Sequence, residues 1–408
     1  MPWNGTERRA TMVLALENLT VLDLTQVMAG PYCCQLLGDL GADVLKVEPI
    51  GAGDATRQAT GHRLPNGESA AFLAVNRNKR SIALDLKSDA GRQAFYDLAR
   101  DADVVVESFR PGVAARLGVD YETLSGLNDQ LVYASVSGFG QTGPYAQRAG
   151  YDLIAQAMSG IMSVTGDPDG PPVKAGVPVA DLSAGLFCAV GILSACLSRA
   201  TTGRGQAVDT SLYDAALALS IWETSELWAT GEPPGRLGSA HRVNAPYQAL
   251  PARDGYLTIG ANNERLWQRL CKVLGRLDLL ADERFTTNTD RVRRRDELAG
   301  ELGRTLRERD RDEWVQLLLD AGVPVGPIRD YAESCADPHT AAREMVVELD
   351  HPAEGRVRSL GVPVKLTGTP AEIRRVAPDL GQHTDEVLRS LGRTDAEIAR
   401  MRAEGAAG

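Results

Sequence analysis

At 408 residues the chain exceeds one ordinary domain, and the usual span of roughly 100–200 residues per domain predicts two or three. A composition of 43% hydrophobic, 24% charged and 5% aromatic residues argues against disordered and fibrous classes. The net charge of -10 argues against a nucleic-acid partner, because backbone binding needs clustered Lys and Arg to displace counterions.

In chain order, the hydrophobic pattern predicts a strand over residues 19–24, a turn at Ala29-Gly30-Pro31, a helix reaching Leu40 and a strand over residues 42–47. A second unit of this kind comes next, with residues 81–86 extended, 91–100 helical and 103–106 an apolar run suited to a buried parallel strand. Residues 131–137 repeat the strand signal. Alternation of this kind predicts an α/β fold with a mostly parallel sheet. Past Gly205 the pattern changes to one long helix over residues 211–230, and Gly231-Glu232-Pro233-Pro234-Gly235 has the composition of a linker. A smaller α+β unit is expected over residues 244–326, with a strand at 256–260, a helix at 264–274 and charged helices at 291–309 and 311–321. Strands at 346–350, 356–360 and 362–366 and a helix at 384–391 complete the chain. The expected domains are 12–224 (large), 225–330 (small) and a segment 331–408 that returns to the large one.

Six cysteines (Cys33, Cys34, Cys188, Cys196, Cys271, Cys335) include no CxxC pair and no His at metal spacing, so reduced core thiols, no metal site and a cytoplasmic protein are expected. The segment from Met1 to Thr11 carries Arg8 and Arg9, but Glu17, Asn18 and Asp23 break up the apolar residues after it, and the pattern does not resemble a signal peptide. No stretch reaches the roughly 18 uninterrupted apolar residues of a membrane span, so no membrane partner is expected.

Gly138-Phe139-Gly140-Gln141-Thr142-Gly143 matches GxGxxG after a predicted strand, which raises a dinucleotide oxidoreductase as a reading. A true fingerprint opens directly into a helix, whereas Pro144-Tyr145-Ala146-Gln147-Arg148 continues as loop; a glycine-rich active-site loop is the better reading. The other landmark is Asp181, placed where a strand hands over to an apolar helix running to Leu197. An Asp there can cap the helix. Small neighbours Ser183, Ala184 and Gly185 also let a bulky ligand approach the carboxylate, and the two roles are compatible.

Nine short motifs occur in order: Leu22-Asp23-Leu24 with Ala29-Gly30-Pro31, Gly41-Ala42-Asp43-Val44 with Val47-Glu48-Pro49, Asn78-Lys79-Arg80-Ser81, Glu107-Ser108-Phe109-Arg110-Pro111-Gly112, Gly150-Tyr151-Asp152, Ala180-Asp181-Leu182, Gly203-Arg204-Gly205-Gln206, Pro246-Tyr247-Gln248 and Gly381-Gln382-His383-Thr384. With them the chain resembles the class III (CaiB/BaiF) CoA-transferases over nearly its whole length. The resemblance implies a large Rossmann-like domain with a smaller α+β domain, an interlocked homodimer, and acyl-CoA and a carboxylic acid as substrates with no permanently bound cofactor. It also implies that Asp181 is the nucleophile. An ionised carboxylate attacks a thioester without an adjacent base, giving a mixed anhydride and CoA thiolate, and then an aspartyl-CoA thioester. Backbone amides of Gly138, Gly140 and Gly143 are candidates for stabilising the oxyanions. The run of glycines that closes over the site in some relatives is missing here.

By the same resemblance, the CoA adenine is expected near Leu84 and Lys87, the phosphates near Arg110 and Arg116, and the pantetheine arm along Val27, Met28, Ala29, Ser108, Phe109 and Tyr151. Catalytic candidates are Asp181, Gly140 and Tyr151; Arg148, His241 and Arg242 are candidates for the acceptor carboxylate, although a His and Arg in a linker are equally at home on a surface. The passages around Gln147-Arg148 and Ala240-His241 look most like transferases for dicarboxylic acids. The racemase branch of the family has a His-Asp pair where this chain has Tyr151-Asp152; tyrosine, ordinarily near pKa 10, is a poor base, so transfer is preferred to racemisation. A non-catalytic CoA-binding protein is the reading from another class.

Overall fold

The computed structural model describes residues 13–58 and 61–408, and the segment from Met1 to Thr11 lies outside the described residues. Two compact units are present: one is the chain up to Ile161 with Ala175–Thr224 and His339–Gly408, the other Met162–Lys174 with Ser225–Pro338.

The first unit is built on a six-stranded, wholly parallel sheet in the order β3-β2-β1-β4-β5-β6. Its strands are β1 (Thr20–Asp23), β2 (Asp43–Glu48), β3 (Lys79–Ala83), β4 (Val104–Glu107), β5 (Val132–Ser137) and β6 (Ala207–Ser211). The helices of this half of the chain are α1 (Ala29–Asp39), α2 (Ala70–Asn76), α3 (Asp89–Asp101), α4 (Val113–Leu117), α5 (Tyr121–Ser125), α6 (Asp152–Met158), α7 (Ile161–Val164), α8 (Val179–Thr202), α9 (Leu212–Ala218) and α10 (Ile221–Thr230). Continuous apolar runs such as Val104-Val105-Val106 suit strands buried on both faces. Side chains alternate between the faces: Val21, Val44, Val104 and Val106 pack with Cys33, Ala184 and Cys188 of α1 and α8, while Leu22, Leu45, Val105 and Tyr133 pack with Phe95 of α3. The C-terminal helices Thr384–Ser390 and Asp395–Ala403 add Val387, Leu388, Ile398 and Met401 to that second layer.

Three sequence expectations are corrected. Residues 211–230 are not one helix: Ser211 ends β6 and caps α9, its Oγ accepting from Asp214 N at 3.0 Å, and Leu219 and Ser220 separate α9 from α10. β6 is only half apolar, so its strand character comes from pairing with β5 and not from its own pattern. Residues 362–366 form no strand; Pro363 has no N–H to donate, and the hairpin of Val346–His351 and Gly355–Leu360 is complete without them. The six thiols are free, but Cys335 is exposed, not core.

Helix α8 is long and apolar enough to cross a membrane. Here Ala180, Ala184, Cys188 and Ile192 lie in the sheet core, while Leu186, Phe187, Val190 and Leu197 form an exposed apolar stripe. In the second unit, an antiparallel sheet of Tyr247–Pro251, Tyr256–Gly260 and Val325–Pro327 packs under helices around Trp267, Phe285 and Trp314.

Candidate active site

The order of the sheet reverses between β1 and β4, and the C-terminal ends of strands at such a switch point leave a crevice. Residues 26–30 after β1 and 108–111 after β4 wall a cavity of about 210 Å³ there, completed by the end of β5, residues 148–151 and Asp181. Gln26 N donates to Ser108 Oγ at 3.0 Å, tying the two walls together. Val27 holds φ at +72°, a conformation unfavourable for a β-branched residue, and its N–H reaches Asp54 Oδ1 at 3.2 Å.

Buried charges brace this turn from below. Lys46 Nζ donates to Thr25 O (2.8 Å) and pairs with Asp54 (2.9 Å); Lys79 Nζ donates to Pro31 O (2.9 Å) and pairs with Asp23 (2.8 Å). Burial alone would push the Asp23 carboxyl up, but the two ammonium groups outweigh it and hold Asp23 well below the usual carboxylate range.

Asp181 is the third residue of α8, and no strand precedes it. It does not cap its helix. That position is served by Asp152, in the first turn of α6, whose Oδ1 accepts from Ala180 N at 2.9 Å and more weakly from Asp181 N at 3.5 Å. Gln156 Nε2 donates to Asp152 Oδ2 at 2.6 Å, and Gln156 Oε1 accepts from Ala175 N at 2.9 Å, so the loop ahead of α8 is fixed as well. Burial, with the negative charge of Asp152 adding to it, pushes the Asp181 carboxyl up to about 6. Helix α8 lies close against α1 because position 185 is glycine: a Cβ there would stand 2.7 Å from Ala29 O.

Val27, Met28, Ala29, Ser108, Phe109, Arg110, Arg148, Tyr151 and Asp181 all line this one cavity. Leu84 and Lys87 line a neighbouring cavity of about 370 Å³, which shares Gln26 and Phe109 with the first. Arg116 lines neither; its guanidinium folds back toward Gly112. His241 and Arg242 belong to the second unit, where His241 stacks edge-on against Tyr247 and Arg242 faces Glu226 at 3.4 Å.

The glycine loop serves differently from expectation. Gly138 lines the cavity and crosses Gly150 so closely that a Cβ on Gly138 would stand 2.7 Å from Gly150 Cα. Gly140 and Gly143 do not line it, and Gly140 N–H is donated to Ser137 Oγ at 2.9 Å. Amide donors stand instead at the start of α1, where the first-turn N–H groups of Ala29 and Gly30 have no acceptor within the helix and Met28 provides no side-chain cap. The loop after Gly143 does continue without entering a helix until Asp152.

Sequence reasoning missed Asp152 and Glu107. Asp152 stands within the quoted Gly150-Tyr151-Asp152 motif, but only coordinates show that it reaches α8. Glu107 Oε2 accepts from Phe109 N at 2.6 Å and orders the wall after β4; burial pushes it up to about 7.

The sequence pattern of CoA-transferase family III matches residues 16–384. An acetyl-CoA:oxalate CoA-transferase of Acetobacter aceti is 44% identical over 354 residues, 86% of this chain and 89% of the relative. A succinate–glutarate CoA-transferase of Agrobacterium fabrum is 40% identical over 385 residues, 92% and 95% of the two chains. A CaiB/BaiF family protein of Brucella suis has a similar solved structure, with a TM-score of 0.84, 39% identity and coverage of 93% of this chain and 99% of that one. The sheet and the switch-point cavity lie within the matched residues 16–384, and the chain belongs to CoA-transferase family III.

Proposed function

We propose that the protein moves CoA between an acyl-CoA donor and a carboxylic acid through covalent intermediates on Asp181, and that at least one of the two acids is a short dicarboxylic acid. The observation that carries this reading is a carboxylate in a small cavity at the sheet switch point, beside amides that the α1 helix cannot satisfy. At about 6, the Asp181 carboxyl is roughly 90% ionised at pH 7, so it needs no base, and it is more basic than a solvated carboxylate.

Its oxygen attacks the thioester carbonyl; the C–S bond breaks and CoA leaves as thiolate. The thiolate then attacks the Asp181 carbonyl of the anhydride, releasing the donor acid and leaving an Asp181–CoA thioester. The acceptor carboxylate attacks that thioester, expelling the thiolate, which takes the acyl group of the new anhydride and restores Asp181. Each tetrahedral oxyanion would face the Ala29 and Gly30 amides. The pantetheine arm would run along Val27–Ala29 and Ser108–Phe109, with the nucleotide end toward Leu84 and Lys87 through the shared Gln26 and Phe109.

A dicarboxylic partner is supported by the oxalate and glutarate named for two relatives and by the cation Arg148 in the cavity wall. The exposed apolar stripe of α8 and the exposed Ile221, Trp222 and Trp228 of α10 support assembly as a homodimer. Incubation with succinyl-CoA followed by hydroxylamine should mark Asp181 as a hydroxamate by mass spectrometry. An Asp181→Asn variant that turns over undiminished would overturn the nucleophile assignment.

A further inference from the structure

On the other side of Met28 lies a second, larger cavity of about 550 Å³ that no step of the transfer above employs. Tyr32 and Leu36 of α1, Ala70 and Ala74 of α2, and Leu182 of α8 line it beneath the hairpin strand Gly355–Leu360. Met28 lines both cavities, and Leu182 directly follows Asp181.

Charge decides what this space can hold. Arg77 in its wall is committed: Nε and NH2 donate to the two carboxylate oxygens of Asp39 at 3.0 and 2.7 Å, and NH1 donates to Ser359 Oγ at 2.9 Å and to Leu360 O. Arg358, the other cation of the wall, has a largely exposed side chain that faces Glu348 at 3.8 Å. His351, also in the wall, accepts the Ala353 and Glu354 N–H groups on Nδ1, each at 3.3 Å. A carboxylate moved into this cavity would lose its water and find both arginines already facing carboxylates, which is strongly unfavourable. Apolar surface would be stabilised there by about 25 cal/mol per Å². The smaller cavity has the opposite character, with Arg148 in the same wall as Asp181.

We infer that the larger cavity receives the body of one of the two exchanging acids, and that this acid is an apolar monocarboxylic acid, aliphatic or aryl, whose carboxylate lies at Asp181 while its chain extends past Met28. The inference rests on the proposed transfer through Asp181. The other acid is then the short dicarboxylate. The protein would couple a dicarboxylyl-CoA donor to activation of an apolar acid, and a reaction that consumes an apolar acyl-CoA must come after it.

The test uses the full-length enzyme with succinyl-CoA as donor and two acceptor series, glutarate and its homologues against hexanoate, octanoate and phenylacetate. The unmodified enzyme should use the apolar acids at least about tenfold better than acetate, as each methylene buried in an apolar pocket is worth about that or more. Ala70 and Ala74 are exposed at the wall, so Ala70→Trp and Ala74→Trp fill the space without entering the core. Either should lower kcat/KM for apolar acids by about tenfold or more and leave glutarate within about threefold. Equal losses in both series, no loss in either, or dissociation of the assembled protein by Ala74→Trp overturns the inference. If succinyl-CoA labels Asp181 but apolar acids are not used, the cavity assignment falls alone; if no label forms, the transfer reading falls with it.

Discussion

The Asp152 carboxylate receives the Ala180 N–H at 2.9 Å and thereby both caps the start of α8 and places a second negative charge beside Asp181. One residue therefore fixes the position of the proposed nucleophile and adds to the rise in its basicity. Attack requires ionised Asp181, so kcat/KM should fall as the pH drops through about 6, not through the ordinary carboxylate range near 4. Asp152→Asn retains a cap acceptor but not the charge. Its acidic limb should move to lower pH without reaching the ordinary carboxylate range, since burial is the larger cause of the rise, and its plateau rate should fall because a less basic carboxylate is a weaker nucleophile. Asp152→Ala loses the cap as well, with about 1 kcal/mol of stability. Rate profiles from pH 4.5 to 8 for the three proteins check this, and an unmoved limb in Asp152→Asn rejects the electrostatic part.

The same raised carboxyl makes a stability prediction of definite sign. Folded Asp181 holds its proton up to about 6 while the unfolded chain releases it near 3.8, so the native state binds more protons between these values. Stability from this group is therefore lost as pH rises from about 4 to about 6, and stays lost above. Asp181→Asn removes the buried charge and should be more stable than the parent by about 1–3 kcal/mol at pH 8, with the difference shrinking toward zero at pH 4. Urea unfolding at both pH values measures it.

How far the site was legible turns on where each residue gets its role. Apolar runs 19–24, 42–47 and 103–106 announced β1, β2 and β4, because buried parallel strands are written in local composition. β6 was hidden, since Ala207-Val208-Asp209-Thr210-Ser211 owes its extension to β5. Motif resemblance brought Val27, Ser108, Arg110, Arg148, Tyr151 and Asp181 to one cavity. It also offered Gly140, which lies outside that cavity with its N–H donated to the Ser137 hydroxyl, and no spacing rule carries that. The capping role of Asp152 joins residues 28 positions apart.

Lys79 tests the brace under the Thr25–Pro31 turn. Its ammonium is fully buried and meets Asp23, Asn76 Oδ1 and Pro31 O, so Lys79→Met leaves Asp23 with less of the charge that stabilises it. Breaking a buried pair from one side costs about 3–5 kcal/mol. Denaturant midpoints should show a loss of that size, and a double variant Asp23→Asn/Lys79→Met should recover part of it.

Arg110 and Lys87 stand on two cavities joined by Gln26 and Phe109, and under the proposed pose Arg110 meets a phosphate and Lys87 the adenine end of the same CoA. A hydrogen bond to a charged group contributes about 1.5–3 kcal/mol, equivalent to roughly 10- to 150-fold in affinity, and less where solvent reaches it. Arg110→Ala and Lys87→Ala should each raise KM for succinyl-CoA by about tenfold with kcat within about twofold, because neither touches the reacting carbonyl. The contacts are separate, so the double variant should show nearly the product of the two effects. Added salt should raise KM of the parent enzyme more steeply than that of either variant. A kcat loss in Arg110→Ala with KM unchanged would instead place that guanidinium beside Asp181, on the acyl end of the substrate.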